Sequence, residues 1–176
     1  MTPVVFLDRD GVLNRALVRD GVPHPPASAA DLEILPGVTE ALERLRRAGY
    51  RLVVVTNQPD VARGVTTRGA VESIHERLTQ ALPIDAIRVC YHDDADGCAC
   101  RKPKPGMLLA EVDADFGASI MIGDRWRDIE AGRAAGCATV LVDWGLAEPL
   151  RHEPDARVGT LSEAADWILS RRGHQP

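Results

Sequence analysis

The chain has 176 residues, 45% of them hydrophobic and 27% charged, which supplies apolar material for one core of domain size. Its formal net charge of -5 argues against a binder of phosphate backbones, which carries a basic surplus. No apolar run approaches the roughly 20 residues of a membrane helix, and no basic stretch precedes a long apolar one near the N-terminus. The expectation is one domain over residues 1–176, a cytoplasmic monomer without nucleic-acid or membrane partners. Four cysteines in such a setting point to metal or free thiols rather than disulfides.

Val4 to Leu7 is short, apolar and β-branched, the pattern of a buried strand, and it ends in Asp8. From Gly11 to Pro36 the chain is polar and proline-rich, and loops of that length are usually functional or disordered. Pro36-Gly37 then opens a helix in which Val38, Ala41, Leu42 and Leu45 recur at helical spacing, with Gly49 as its stop. Leu52 to Val55 is a second strand, ending in Thr56-Asn57. A helix from about Thr67 to Leu82 precedes a third strand, Ala86 to Tyr91. After an irregular, cysteine-rich segment, Pro105 starts a helix expected to reach about Phe116. Ser119 to Ile122 is a fourth strand, ending in Gly123-Asp124. Asp128 to Ala135 is helical and stopped by Gly136, Ala138 to Val142 is a fifth strand, and Leu161 to Leu169 a last helix. Gly173 to Pro176 is expected to fray.

Strands that are apolar throughout and separated by helices imply an α/β fold, a doubly wound parallel sheet covered on both faces. Ligands of such folds bind beyond the carboxyl ends of the strands. Asp8, Thr56, the cysteine-rich loop and Asp124 all fall there. Asp8 and Asp10 form a pair able to divide labour, one attacking or binding metal and the other moving protons. Asp124 and Asp128 offer further oxygens to a hard cation such as Mg²⁺. Arg101, Lys102 and Lys104 supply the positive charge that a phosphate needs beside carboxylates, though Lys104 reads as a solvated surface charge. Thr56 with nearby amides could hold non-bridging oxygens. Taken alone, an Asp-x-Asp reads as readily as a solvated loop or a helix cap.

Cys90, His92, Cys98 and Cys100 lie within eleven residues and make a complete tetrahedral set for Zn²⁺. A closed set has no open position for chemistry, so the zinc is expected to be structural, tying down the loop that carries Arg101-Lys102. Cys137 reads as a small buried hydrophobe. His75, in a helix, is expected at the surface or its boundary rather than as a base, and His24 lies in a loop expected to border the substrate.

The order Asp8-x-Asp10-Gly, Thr56-Asn57, Lys102-Pro-Lys-Pro and Gly123-Asp124-x-x-x-Asp128 resembles the haloacid dehalogenase superfamily of phosphatases. That resemblance implies a Rossmann-like sheet and an aspartyl phosphate formed on Asp8. It makes Asp10 the general acid and then the base, and Thr56 and Lys102 the stabilisers of the transferring group. Mg²⁺ would be bound by Asp8, the backbone carbonyl of Asp10 and Asp124, with Asp128 acting through water. Asp8-Arg-Asp-Gly-Val-Leu-Asn14, Thr56-Asn-Gln58, Ala62-Arg-Gly64, the cysteine-rich loop and Cys100-Arg-Lys-Pro-Lys-Pro-Gly-Met107 resemble a narrower branch, the heptose bisphosphate and histidinol-phosphate phosphatases, which lack a large cap domain. The similarity extends to about Val142. Asn14, Asn57, Gln58, Arg101 and Arg125 are the expected substrate contacts, the two arginines for the spectator phosphate of a bisphosphate.

Three positions depart from that branch: Pro59-Asp60 stands where Ser-Gly is usual, Arg125 where Lys is frequent, and the stretch after His92 is short and acidic. The implied reaction is loss of the 7-phosphate of a heptose 1,7-bisphosphate. Histidinol phosphate stays open as an alternative, because Asp93, Asp94 and Asp96 would suit its amine. A non-enzymatic receiver-like domain phosphorylated on aspartate is a reading of another class, but it needs neither Asp10 as an acid nor a zinc loop.

Overall fold

The computed structural model describes residues 1–19, 22–145 and 148–172; the expected fraying of Gly173 to Pro176 lies outside them. Its elements are β1 (Val4–Leu7), β2 (Leu17–Arg19), β3 (Val22–His24), α1 (Val38–Arg47), β4 (Arg51–Asn57), α2 (Arg68–Ala81), β5 (Ala86–Cys90), α3 (Gly106–Leu109), β6 (Ile120–Gly123), α4 (Trp126–Ala135), β7 (Ala138–Val142), β8 (Ala156–Val158) and α5 (Leu161–Arg172). Six strands form one sheet in the order β5-β4-β1-β6-β7-β8, and every neighbouring pair is parallel. β2 and β3 form a separate antiparallel hairpin.

The two-residue period of a strand divides the core. Val5 and Leu7 of β1 point with Leu52 and Val54 into a cluster completed by Leu42 and Leu45 of α1, Ile74 and Leu78 of α2, and Ala164 and Ile168 of α5. Val4 and Phe6 point with Val53 and Val55 to the other face, against Met107 and Leu108 of α3 and Ala131 and Ala135 of α4. Burial on both faces is why β1 reads as an unbroken apolar run rather than an alternating one.

Register brings the site together. Leu7 pairs with Val54 on one side and Ile122 on the other, and the Asp8 amide donates to the Ile122 carbonyl at 2.9 Å. The chain leaves β1 for β4 and β5, then returns to lay down β6, β7 and β8 on the opposite side. This reversal beside β1 opens a crevice at the carboxyl ends, where ligands of doubly wound sheets bind.

Several elements differ from expectation. The helix expected from Pro105 to about Phe116 stops at Leu109. Beyond it Val112 is 82% exposed, so the segment does not continue an apolar helical face toward the core. Glu111 instead turns inward to receive Arg51 at 2.8 Å and Arg88 at 2.7 Å, and Phe116 stacks on Phe6. Within the loop from Gly11 to Pro36 lies the β2–β3 hairpin, and β8 extends the sheet with only three residues. Segments that short have too little pattern to be read locally; their neighbours supply the pairing.

Candidate active site

Asp8 stands one residue beyond β1. Its Oδ1 accepts from Lys102 Nζ at 2.8 Å, and the same ammonium lies 2.6 Å from Asp128 Oδ1 and donates to the Val55 carbonyl at 2.7 Å. Lys102 is buried, only 2% exposed, so two carboxylates and a carbonyl replace the water it has lost. Burial opposes its charge, but Asp128 and Asp8 outweigh that and hold the ammonium above the ordinary lysine range. For Asp8, burial is the larger influence and pushes the carboxyl up to about 6, although Lys102 pulls the other way. Asp124, at the end of β6, is raised well above the usual carboxylate range by burial and then by the charges of Asp8 and Asp128.

Asp8, Asp124 and Asp128 each present an oxygen, all within 4.8 Å of one another. Asp124 Oδ1 is buried without a hydrogen-bond partner among the described residues. Gly11, at φ +86°, packs against this carboxylate so closely that a Cβ there would lie 2.7 Å from the Asp124 Cγ; only glycine combines that backbone with that approach. Trp144 Nε1 donates to the Gly11 carbonyl at 2.7 Å and braces the same turn. Gly123 has a matching role, since a Cβ on it would run into Asp128. An all-oxygen donor set, mutual repulsion among carboxylates and an orphaned buried oxygen fit a hard divalent cation such as Mg²⁺.

The Asp10 side chain lies outside that cluster, so any part it takes in holding metal falls to its backbone carbonyl. Its carboxylate receives Arg9 Nε and Nη2 in a fork, the shortest contact being 2.9 Å. Asn14 Nδ2 donates to its Oδ1 at 2.9 Å and Gln58 Nε2 to its Oδ2 at 3.0 Å. Arg9 is wholly buried, and its Nη1 lies 2.9 Å from His75 Nε2. His75, expected at the surface or its boundary, is 8% exposed and bonded. Burial first, and then Arg9, lower its pKa to about 4. Arg9 and His75 were missed as site residues because 66 positions separate them and neither has a local motif beyond adjacency to the aspartates.

Two expected substrate contacts have structural partners instead. Asn14 is fully buried and does not line the cleft; it is a support for Asp10. Asn57 lines the cleft but exchanges two hydrogen bonds with the Lys102 backbone, Nδ2 to the carbonyl at 3.0 Å and Oδ1 from the amide at 3.1 Å. This strap ties the end of β4 to the loop that carries Lys102. Gln58 also donates to Thr56 Oγ1 at 3.0 Å. Thr56, Gln58, Arg101 and Arg125 all line the cleft.

The cleft has a volume of about 550 Å³. Asp8, Asp10, Thr56, Lys102, Asp124 and Asp128 line it, together with Arg63, Arg101, Arg125 and Arg127, and Pro23, His24 and Pro25 close one side from the hairpin. The acidic loop differs from expectation. Asp94 accepts from Arg101 at 2.9 Å and Arg127 at 3.0 Å, and Asp93 from Arg63 at 2.6 Å. Arg101 is the chief cause that holds Asp94 well below the usual carboxylate range. Asp96 accepts from the Asp93 amide at 2.8 Å. These carboxylates orient arginines and cap a turn, so they are not free to greet an amine. Arg125 is held by Glu148 through Nε at 2.6 Å and Nη2 at 3.0 Å.

Cys90, His92, Cys98 and Cys100 converge on one point. The Cys100 sulfur lies 3.3 Å from that of Cys90, 3.5 Å from that of Cys98 and 3.3 Å from His92 Nδ1; Cys90 lies 3.7 Å from Cys98. A tetrahedron with zinc–sulfur bonds of about 2.3 Å has edges of about 3.8 Å, so small outward shifts would admit the ion. Lys104, expected to be solvated, is exposed but donates to the Gly97 and Cys98 carbonyls at 2.9 and 2.7 Å, bracing the same loop. Cys137 is buried in the core, as expected.

Comparison with known proteins follows the same lines. Residues 99–164 match the HAD-hydrolase-like family model. A D-glycero-beta-D-manno-heptose-1,7-bisphosphate 7-phosphatase from Bordetella bronchiseptica is 38% identical over 153 residues, 81% of each chain. That of Escherichia coli (strain K12) is 36% identical over 190 residues, 99% of this chain and 92% of its own. The structure of D,D-heptose 1,7-bisphosphate phosphatase from B. bronchiseptica, complexed with magnesium and phosphate, superposes with a TM-score of 0.83 at 34% identity, covering 96% of this chain and 99% of that one. Fold and site thus define a hydrolase of the haloacid dehalogenase-like class, a phosphatase without a large cap domain among the described residues. Within that class the chain belongs to the family of D-glycero-beta-D-manno-heptose-1,7-bisphosphate 7-phosphatases.

Proposed function

We propose that this protein removes the 7-phosphate of D-glycero-D-manno-heptose 1,7-bisphosphate through a phosphorylated Asp8. The observation that carries the reading is the convergence of Asp8, Lys102, Asp124 and Asp128 at the crevice beside β1, together with the kinship to phosphatases of that name. An Asp8 oxygen attacks phosphorus while Lys102 and the Thr56 hydroxyl hold the phosphoryl oxygens. Asp10 gives a proton to the departing alcohol oxygen, then takes one from the water that cleaves the aspartyl phosphate. Two displacements replace one very slow hydrolysis. Mg²⁺, held by Asp8, the Asp10 carbonyl and Asp124 with Asp128 assisting, would neutralise phosphoryl charge and favour the ionised nucleophile. Zn²⁺ on Cys90, His92, Cys98 and Cys100 would be structural.

Arg101 and Arg125, with Arg127 sharing Asp94 beside Arg101, are the proposed seat of the spectator phosphate. The four arginines on the cleft wall, Arg63, Arg101, Arg125 and Arg127, support a second anion over the amine of histidinol phosphate. The test is Mg²⁺-dependent phosphate release from heptose 1,7-bisphosphate anomers, histidinol phosphate and simple sugar phosphates, with Asp8→Asn as the blank. The heptose bisphosphate should lead in kcat/KM by at least about tenfold, the size of one good charged contact. A lead by histidinol phosphate would overturn the substrate, and substantial turnover by Asp8→Asn would overturn the covalent route.

A further inference from the structure

Arg9 is the largest side chain that the core encloses completely, and it is an ion. A guanidinium has five N–H donors and no way to shed its charge, so each donor in a dry site must find an acceptor. Nε and Nη2 spend theirs on the Asp10 carboxylate, and Nη1 faces His75 Nε2 at 2.9 Å. For that contact to be a hydrogen bond, Nε2 must be the unprotonated nitrogen and the ring neutral. The other side of His75 looks onto a surface groove between α2 and β5, lined by Arg68, Glu72, Glu76 and Tyr91 among others. Neither His75 nor Arg9 lines the substrate cleft. The chain His75–Arg9–Asp10 therefore runs from α2 to the proposed proton donor behind the cleft wall.

We infer that His75 is a positioning residue for catalysis: by accepting from Arg9 it fixes the fork that aims the Asp10 carboxylate. Among the described residues two other side chains hold Asp10, Asn14 and Gln58, and each donates one bond. Of these three, Arg9 alone grips both oxygens with one rigid group and so sets the plane of the carboxylate. Without His75, an Nη1 hydrogen of the fully buried Arg9 loses its acceptor. The guanidinium then rotates toward another acceptor and takes Asp10 with it. Proton transfer to the leaving group is sensitive to such a shift, whereas binding of the phosphates is not. The inference rests on the proposed role of Asp10 as proton donor.

The experiment compares His75→Leu, which removes the acceptor, with His75→Gln, whose amide oxygen can reach the place of Nε2. With an alkyl phosphate substrate, His75→Leu should lower kcat by about tenfold or more and leave KM within about twofold. His75→Gln should recover most of that loss. On an aryl phosphate with a good leaving group, which needs less protonation, the loss in His75→Leu should shrink. Should His75→Leu fail to fold by circular dichroism, His75→Asn takes its place, because its shorter amide stops near Nδ1. Equal losses in the Leu and Gln variants, or a rise in KM with kcat kept, would overturn the inference. Nitrogen-15 spectra of the arginine side chains give a second readout that needs no turnover. The Arg9 guanidinium should be restrained in wild type and His75→Gln and freely rotating in His75→Leu; identical Arg9 signals in all three sink the inference. If wild type releases no phosphate from any substrate, the phosphatase reading falls, and the Arg9 signals decide the pair by themselves.

Discussion

At the scale of single residues, the site is an arrangement of charges that folding by itself would not choose. Asp8 has its carboxyl pushed up to about 6 by burial, against Lys102. The native state therefore holds that proton more tightly than the unfolded chain, whose aspartates titrate near 3.9. Stability contributed by the neutral form is complete at low pH and is lost as pH rises through the window from about 4 to about 6. In magnesium-free solution, Asp8→Asn should thus melt above wild type at pH 7.5, by about 3 kcal/mol, and the gap should close toward pH 4. Thermal melts at the two pH values check this, and a variant less stable than wild type at pH 7.5 would contradict it. The carboxylates of this scale were legible because each sits beside a strand-end motif. His75 was not, since its partner Arg9 lies on another element and only folding brings Nε2 to the guanidinium. The role of Asn14 was hidden for the same reason: a polar residue in a loop gives no sign that it will be fully enclosed.

Among elements, the loop after β5 carries the greatest demand. It must hold Lys102 in a dry pocket and set Arg101 on the cleft wall, yet few apolar side chains anchor it. Convergence of Cys90, His92, Cys98 and Cys100 and the strap from Asn57 do that instead. Removing zinc with a chelator and then restoring Mg²⁺ alone should lower the melting temperature and cut turnover by about tenfold or more, because displacements near 1 Å at a reacting centre cost on the order of a hundredfold. Asn57→Ala, which severs only the strap, should lower stability by about 1–3 kcal/mol and kcat with it. Unchanged melting and turnover after zinc removal would show that the loop stands without metal. Helix α2 was read to within a residue at each end, whereas α5 runs three residues past the expected Leu169, to Arg172. The helix after Pro105 was overextended, because nothing local to the segment reveals that Val112 faces water while Glu111 turns in to meet Arg51 and Arg88.

For the whole molecule, the cation site joins parts that are distant in the chain: β1 at the centre of the sheet, β6 beside it, and the start of α4. Mg²⁺ bound there should stabilise the entire fold, by about 2.7 kcal/mol at a hundred times its dissociation constant, or several degrees in Tm. Its ligands must be ionised, and burial holds the pKa values of Asp8 and Asp124 above the usual carboxylate range. The Mg²⁺-induced shift should therefore be small at pH 5 and grow as pH rises through about 6. A shift of the same size at both values would count against these carboxylates as the ligands. Asp124→Asn should abolish it.

What the sequence determined by itself was periodic or adjacent: the apolar runs that become parallel strands, the helical spacing of α1 and α2, the aspartates at strand ends, and a thiol and imidazole set close enough along the chain to share one ion. Sheet order, the short strands β2, β3 and β8, the enclosure of Arg9, and the pairing of Asp93 and Asp94 with arginines were decided only by the tertiary structure. The physical reason is range. Local patterns report what a segment prefers, whereas a buried charge or a three-residue strand is stable only through partners that lie far away in the chain.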